Sequence, residues 1–397
     1  MKRTVVFLVL VAAMLLAACG PAVAAEPDAC KADLGCAKIA KGQTIKVGYA
    51  GPMTGDYSQF GIDMSSAMKL AVADFGDVNG WKVELVAEDD GASAEGGAAV
   101  ANKLVADQTF VAMAGHAFSG PTSAAMPIYE KAGVPMLSPS ATNPDLTTKG
   151  SKVFNRNAFT DTDQANGAAN YLYTNLKIKK LAIIHDGSDY GQGLGKGVQA
   201  TFTSLGGEVV AFEAITPGES DYSAPLAAVA AKKPEAIYFG GYNAEASVLV
   251  NQLKQAGLTN VIFFGGDGIY GKDFITKTGA NGEGVYSATL VPPSSEPITR
   301  FDKLYKDAYG TEAGVLSAYT WNSYDAVGAL ITAIKSVAIV SGDTIFVPRG
   351  ALVAAVRGLK DYQGLAGVIT CKGNGECNAS GPVFYVVKNG VWVPATK

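Results

Sequence analysis

The feature that most constrains this chain is a repeated alternation of short apolar runs with helix-patterned segments. TIKVGYA, KVELVAED, FVAMAG, VPMLSPS, KLAIIHD, GEVVAFEAI, EAIYFGG and NVIFFGGD each have the length and composition of a buried strand. Between them lie helices. Met64, Met68, Ala71, Val72 and Phe75 share one helical face, and SAEGGAAVANKLVAD opens on Ser93 as an N-cap. NAEASVLVNQLKQAG stops at Gly257, as a C-cap would. Strand–helix–strand alternation predicts parallel sheets covered by helices. About four strands fall in 45–140 and about four more in 180–265, so the pattern predicts two α/β lobes. The length, 397 residues, agrees with two domains. Helices return at 298–309, 317–338 and in RGALVAAVRGLK, and short strands follow from 362.

Hydrophobic residues make up 48% and charged residues 17%, which describes a globular protein and excludes a disordered one. The net charge of −4 and the lack of any Lys/Arg-rich run argue against a nucleic-acid partner. The N-terminus combines a basic start, MKR, with the apolar run TVVFLVLVAAMLLAA, too short for a membrane span and suited to a signal peptide. LAAC, ending at Cys19, resembles a bacterial lipobox, which implies cleavage after residue 18 and a lipid on the Cys19 sulfur. The alternative is an ordinary cut at AVAA, before Glu26. Either predicts export to the periplasm or the outer face of the cell membrane, with no membrane contact beyond the anchor. Residues 19–43 read as a tether. Four further cysteines, Cys30, Cys36, Cys371 and Cys377, allow three pairings, of which two local bridges are the simplest. Zinc is disfavoured, since only His116 and His185 could join them and zinc pairs have shorter spacings. No metal or cofactor is expected.

The glycine-rich stretch LAIIHDGSDYGQGLGKG tests a nucleotide reading. From Gly191 the sixth position of a dinucleotide fingerprint is Lys196, and from Gly193 it is Val198. For a P-loop the early glycine is Tyr190 and the hydroxyl is Gly197. Both templates fail. An enzyme reading rests on Ser66-x-x-Lys69 and Lys277-Thr278-Gly279, two of three signatures of serine β-lactamases and penicillin-binding proteins. Ser188-Asp189 is followed by Tyr190 where asparagine is needed, and Lys277-Thr-Gly ends a helical segment instead of lying on a strand. No enzyme is expected.

Ligands of open α/β sheets sit beyond the carboxyl ends of the strands. The loops there, GPMTGDYSQFG, GHAFSG, SPSATNPD, HDGSDYG, GGYNAE and GGDGIYG, are rich in Gly, Ser, Thr, Asp and aromatics and poor in Lys and Arg. Hydroxyls and free N–H groups at helix starts suit a carboxylate. An aspartate suits an ammonium, and aromatics suit an apolar side chain. The set describes a pocket for a small zwitterion.

With YTWNSYDAVGAL, these segments in this order give a resemblance that runs from Thr44 nearly to the C-terminus. The sequence resembles the type I periplasmic binding proteins of ABC transporters, specifically the leucine/isoleucine/valine-binding group. The resemblance implies a two-lobe fold, each lobe a parallel sheet flanked by helices, joined by a three-crossing hinge. Lobe one would be 44–160 and 291–368; lobe two would be 161–290 and 369–397. It implies capture of a small amino acid, branched-chain ones first, and delivery to a membrane permease. Different amides, aromatic acids or a sensory role are the alternatives.

By the same resemblance Ser119, Ser140 and Thr142 would hold the carboxylate and ammonium from the first lobe, with Ala117, Phe118 and Ala141 on the wall. Helix capping is the plainer role for Ser119 and Thr142. Phe60, Tyr190, Tyr242 and Tyr319 would be the pocket aromatics. Asp267 would face the ammonium from the second lobe, where leucine-type members carry a longer glutamate. Phe118 is bulkier than the residues of such walls. His116 and His185 read as structural.

Overall fold

The computed structural model describes residues 25–377 and 381–395. The signal-peptide stretch and Cys19 lie outside them. No helix among the described residues is long and apolar enough to cross a membrane.

The strand-like runs fall into two sheets. The first has five parallel strands in the spatial order Val83–Asp89, Ile45–Gly51, Phe110–Met113, Met136–Ser138 and Phe154–Arg156. Its residues alternate between two cores. Val47 and Tyr49 pack with Met64 and Met68 of the Ser58–Phe75 helix and with Leu330 of the Thr320–Val337 helix. Ala50 and Phe110 pack with Leu104 and Tyr129, from the Ala94–Val105 and Ser119–Ala132 helices. Burial on both faces is why Ile45–Gly51, Phe110–Met113 and Met136–Ser138 read as apolar runs, whereas Val83–Asp89 at the sheet edge is buried only at Val83. The predicted cap at Ser93 is present, its hydroxyl accepting the Gly96 N–H at 3.0 Å.

The two helices behind this sheet touch through Gly97. A Cβ there would lie 2.6 Å from the Pro121 carbonyl oxygen and 2.7 Å from its Cα. Gly97→Val is therefore expected to destabilise the protein by about 1–3 kcal/mol in urea unfolding. A variant as stable as the parent would show that the close approach is dispensable.

The second sheet runs Val391–Pro394, Val383–Lys388, Tyr286–Thr289, Ile262–Gly265, Ala236–Gly240, Lys180–His185, Glu208–Ala214. Ile184, Ile237 and Phe263 face one core and Ile183, Tyr238 and Phe264 the other, the same two-sided burial. The sheet departs from the all-parallel expectation at one end, where Val383–Lys388 joins Tyr286–Thr289 antiparallel and pairs antiparallel with Val391–Pro394. A short turn at Asn389 and Gly390 reverses the chain there, so no crossover helix is needed.

Three segments differ from the sequence expectation. Cys36–Ala40, within the expected tether, is a strand paired antiparallel with Thr344–Pro348. Only Ala37 and Ile39 of this strand turn inward, too short an alternation to register as periodic. The Asn243–Gln252 helix ends before Gly257 and continues in turns, with Gly257 at φ +76°. The 371–377 stretch attaches to the first sheet, Cys377 N–H donating to the Arg156 carbonyl at 3.0 Å. The two local disulfides, Cys30–Cys36 and Cys371–Cys377, are both formed.

Candidate functional site

The carboxyl ends of the two sheets face a common cavity. From the first sheet Phe60, Ala117, Phe118, Ser119, Ser140 and Thr142 line it; from the second come Tyr190, Tyr242 and Asp267. Tyr319, which immediately precedes the Thr320–Val337 helix, completes it. Ten of the eleven candidate residues thus meet in one place. The exception is Ala141, which lies behind the wall in the core with Leu146 and Phe154.

Asp267 is the charged centre. It is 4% exposed. Its Oδ1 accepts the Tyr190 hydroxyl at 2.8 Å and Gln164 Nε2 at 2.6 Å; its Oδ2 accepts the Tyr319 hydroxyl at 2.7 Å. Gln164 also accepts the Asp267 N–H at 2.7 Å, fixing the backbone. Burial pushes the Asp267 pKa up, against the pull of Tyr319, Gln164 and Tyr190. Gln164, which the sequence reading missed, lies on the Asp161–Asn170 helix, 103 residues from its partner. Asp161 on the same helix is buried, and burial together with the Asp267 charge pushes it up to about 8. No Lys, Arg or His among the described residues lines the cavity.

Opposite Asp267, the first sheet offers hydroxyls and a helix start. Ser119 opens the Ser119–Ala132 helix, and its Oγ accepts the Asn143 N–H at 3.2 Å. Ser140 Oγ donates to the Ala117 carbonyl at 2.7 Å. Partial positive charge at this helix end favours a carboxylate.

Aromatic rings close the rest. Phe118 and Tyr242, one from each sheet, stack at 4.1 Å with 13° between planes. Phe60 lies 5.5 Å from Phe118, and Tyr190 lies 5.2 Å from Tyr242. Tyr57, also missed, sits 5.4 Å from Tyr242 and donates its hydroxyl to Glu245 across the gap at 2.8 Å. Its place in GPMTGDYSQFG, three residues before Phe60, was the available signal. The space left is about 20 Å³, little more than the roughly 10–15 Å³ one water needs on the same measure.

The glycine-rich loop serves packing. Ser188 caps the Asp189–Ser204 helix, its hydroxyl accepting the Gly191 N–H at 2.9 Å. A Cβ on Gly191 would collide with the Gly240 carbonyl, so glycine lets this helix approach its neighbouring strand and present Tyr190. His116 bridges Asp90 at 2.9 Å and Tyr129 at 3.2 Å, away from the cavity. His185 Nδ1 accepts the Gly187 N–H at 3.1 Å. No cluster able to hold a metal occurs among the described residues. Ser66 is buried within the Ser58–Phe75 helix, whereas Lys277 and Thr278 close the separate Lys272–Thr278 helix.

Buried carboxyls set a pH dependence. Burial pushes Asp63 and Asp186 up to about 6, Asp325 to about 7 and Asp161 to about 8. Between the ordinary value of 3.8 and these values the folded chain holds more protons than the unfolded one. Stability then falls as pH rises through that window. His185, held below 6.5 by burial, opposes the trend as a single group. The ligand-free protein is expected to melt at a higher temperature near pH 5.5 than near pH 8. A flat or reversed profile by calorimetry would contradict the burial of these groups.

A family model described as periplasmic binding protein matches residues 44–390. An amino acid binding protein of Pseudomonas aeruginosa is 36% identical over 59% of this chain and 63% of its own length. A Leu/Ile/Val-binding protein of Citrobacter freundii is 33% identical over 75% of this chain and 81% of its own. Among solved structures, a leucine binding protein from Thermotoga maritima superposes with a TM-score of 0.80 at 30% identity, covering 89% of this chain and 98% of that one.

Proposed function

The chain belongs to the periplasmic binding protein family, and on that premise we propose that it is an exported solute-binding lipoprotein that captures a small amino acid and delivers it to an ABC permease. One observation carries the choice of ligand. A buried carboxylate, Asp267, faces a hydroxyl-lined helix start across a cavity with no basic lining residue. That arrangement lacks a positive partner for its own carboxylate and offers dipoles for another, which is the complement of a zwitterion. Asp267 would take the ammonium; Ser119, Ser140 and Thr142 would take the carboxylate. Phe60, Phe118, Tyr190, Tyr242 and Tyr319 would surround the side chain. Branched-chain amino acids lead, from what the named relatives bind.

The proposed mechanism is closure. The lobes, expected at 44–160 with 291–368 and 161–290 with 369–397, would move about three crossings, with the 371–377 stretch staying on the first sheet to which it is bonded. Ligand touching both favours the closed state by its differential affinity. Cys19 would carry the lipid. The tight Phe118–Tyr242 stack supports a second reading, in which the ligand is smaller than leucine or is a short amide.

The test is a thermal-shift panel on protein unfolded and refolded to strip carried-over ligand. Leucine, isoleucine, valine, alanine, glycine, short amides and benzoate are compared. Ligand at ~1,000 times its Kd adds about 4 kcal/mol to the folded state, a rise of several degrees. A rise with branched-chain amino acids supports the first reading. A rise with alanine, glycine or amides alone supports the second. A rise with benzoate alone would overturn the role given to Asp267.

A further inference from the structure

Behind the Ser140–Thr142 wall lies a buried arginine that the proposed binding step does not use. Arg156 ends the Phe154–Arg156 strand and its side chain is 0% exposed. All five guanidinium N–H groups are engaged. Nη1 donates to the carbonyls of Ala141 at 2.9 Å and Asn143 at 2.7 Å, on either side of Thr142. Nη2 donates to Thr147 Oγ1 at 3.1 Å and to Glu376 Oε1 at 2.6 Å. Nε donates to Glu376 Oε2 at 3.0 Å. Glu376 sits in the loop CKGNGEC, closed by the Cys371–Cys377 disulfide. The loop is sewn to the same strand on both sides of the charge: Arg156 N–H donates to the Gly375 carbonyl and Cys377 N–H to the Arg156 carbonyl, each at 3.0 Å.

The braced segment reaches the cavity. Asn143 N–H donates to the lining residue Ser119, and Asn143 Nδ2 donates to the Asp189 carbonyl beside Tyr190. A buried guanidinium stays in place only while its charge is paired. Without Glu376 it must seek other acceptors, and the carbonyls of Ala141 and Asn143 lose their common anchor. Within the loop, Lys372 N–H donates to the Glu376 carbonyl at 2.7 Å and Glu376 N–H to Asn374 Oδ1 at 3.0 Å. Gly373 and Gly375 both adopt positive φ, +79° and +101°, and the disulfide removes the freedom such glycines bring.

We propose that the Cys371–Cys377 loop is an outer brace for the ligand cavity: through Glu376 it fixes Arg156, and Arg156 fixes the segment that carries Ser140 and Thr142. Glu376 and Arg156 are positioning residues. The link to affinity rests on the reading of Ser140 and Thr142 as ligand contacts.

The experiment compares the full chain with Glu376→Gln, with Cys371→Ser/Cys377→Ser, and with Cys30→Ser/Cys36→Ser as a control for losing a disulfide elsewhere. The first readout is amide hydrogen exchange over residues 140–147 without ligand; the second is L-leucine affinity by calorimetry. Both brace variants are expected to exchange faster in this segment and to bind leucine on the order of tenfold more weakly. The control is expected to lower the melting temperature alone. Glu376→Gln preserves both disulfides, so a double-cysteine variant that fails to fold does not spare the proposal. Unchanged exchange in Glu376→Gln, or the same local loosening in the control, overturns the brace. Faster exchange with unchanged leucine affinity overturns its link to the cavity. If the parent chain does not bind leucine, the ligand assignment falls, whereas the exchange comparison still decides the brace.

Discussion

Asp267→Ala is expected to weaken ligand binding by about 2–5 kcal/mol, roughly 30-fold to several-thousand-fold in Kd, while the protein stays folded. The substitution removes the only acidic side chain that lines the cavity among the described residues. It leaves a bound ammonium buried without a counter-charge. It also leaves the hydroxyls of Tyr190 and Tyr319 and the Gln164 amide without their acceptor. Stability is expected to respond far less than binding. Burial already penalises the ionised carboxylate, as its raised pKa indicates, so deleting it also removes a cost. Asp267→Asn separates charge from shape: its one amide oxygen can still accept from one of the tyrosines while its NH2 faces the hydroxyl oxygen of the other, and its affinity should still fall. Titration calorimetry with whichever ligand raises the melting temperature is the check. Near-parental affinity in both variants would remove Asp267 from the binding site.

Arg156→Ala is expected to act on the fold itself, costing about 3–5 kcal/mol, because it breaks a buried pair and leaves one partner behind. Glu376 has a side chain only 17% exposed. Burial acts to raise its pKa, but hydrogen bonds and charge from Arg156, with help from Thr147, outweigh that and hold it below 4.5. A depressed carboxylate contributes stability that is present above its ordinary pKa and lost as pH falls through the folded value. The difference between parent and variant should therefore be full at neutral pH and should shrink below about pH 4.5, which urea titrations at several pH values would read. A cost under about 1 kcal/mol at neutral pH, the range of exposed ion pairs, would mean that the pair is not buried in solution.

The sequence by itself determined the α/β class, the two groups of strands and most of the cavity. The physical reason is local. Two-sided burial writes apolar runs into the strands, and loops at the carboxyl ends of parallel strands gather on one edge of the sheet. The loops that carry Ser119, Ser140, Tyr190, Tyr242 and Asp267 could therefore be placed on one edge, whereas these particular residues within them were marked by the resemblance. The short alternation in Cys36–Ala40 was too weak to show, since two inward residues carry no period.

Tertiary structure alone decided who touches whom. Gln164 finds Asp267 across 103 residues, Tyr57 finds Glu245 across 188, and Arg156 finds Glu376 across 220. The Phe118–Tyr242 stack exists only because the two sheets face each other. Periodicity records that a side chain is buried but not against which partner. Pairing of polar groups inside the fold follows from the cost of leaving them unpaired once packing has removed water.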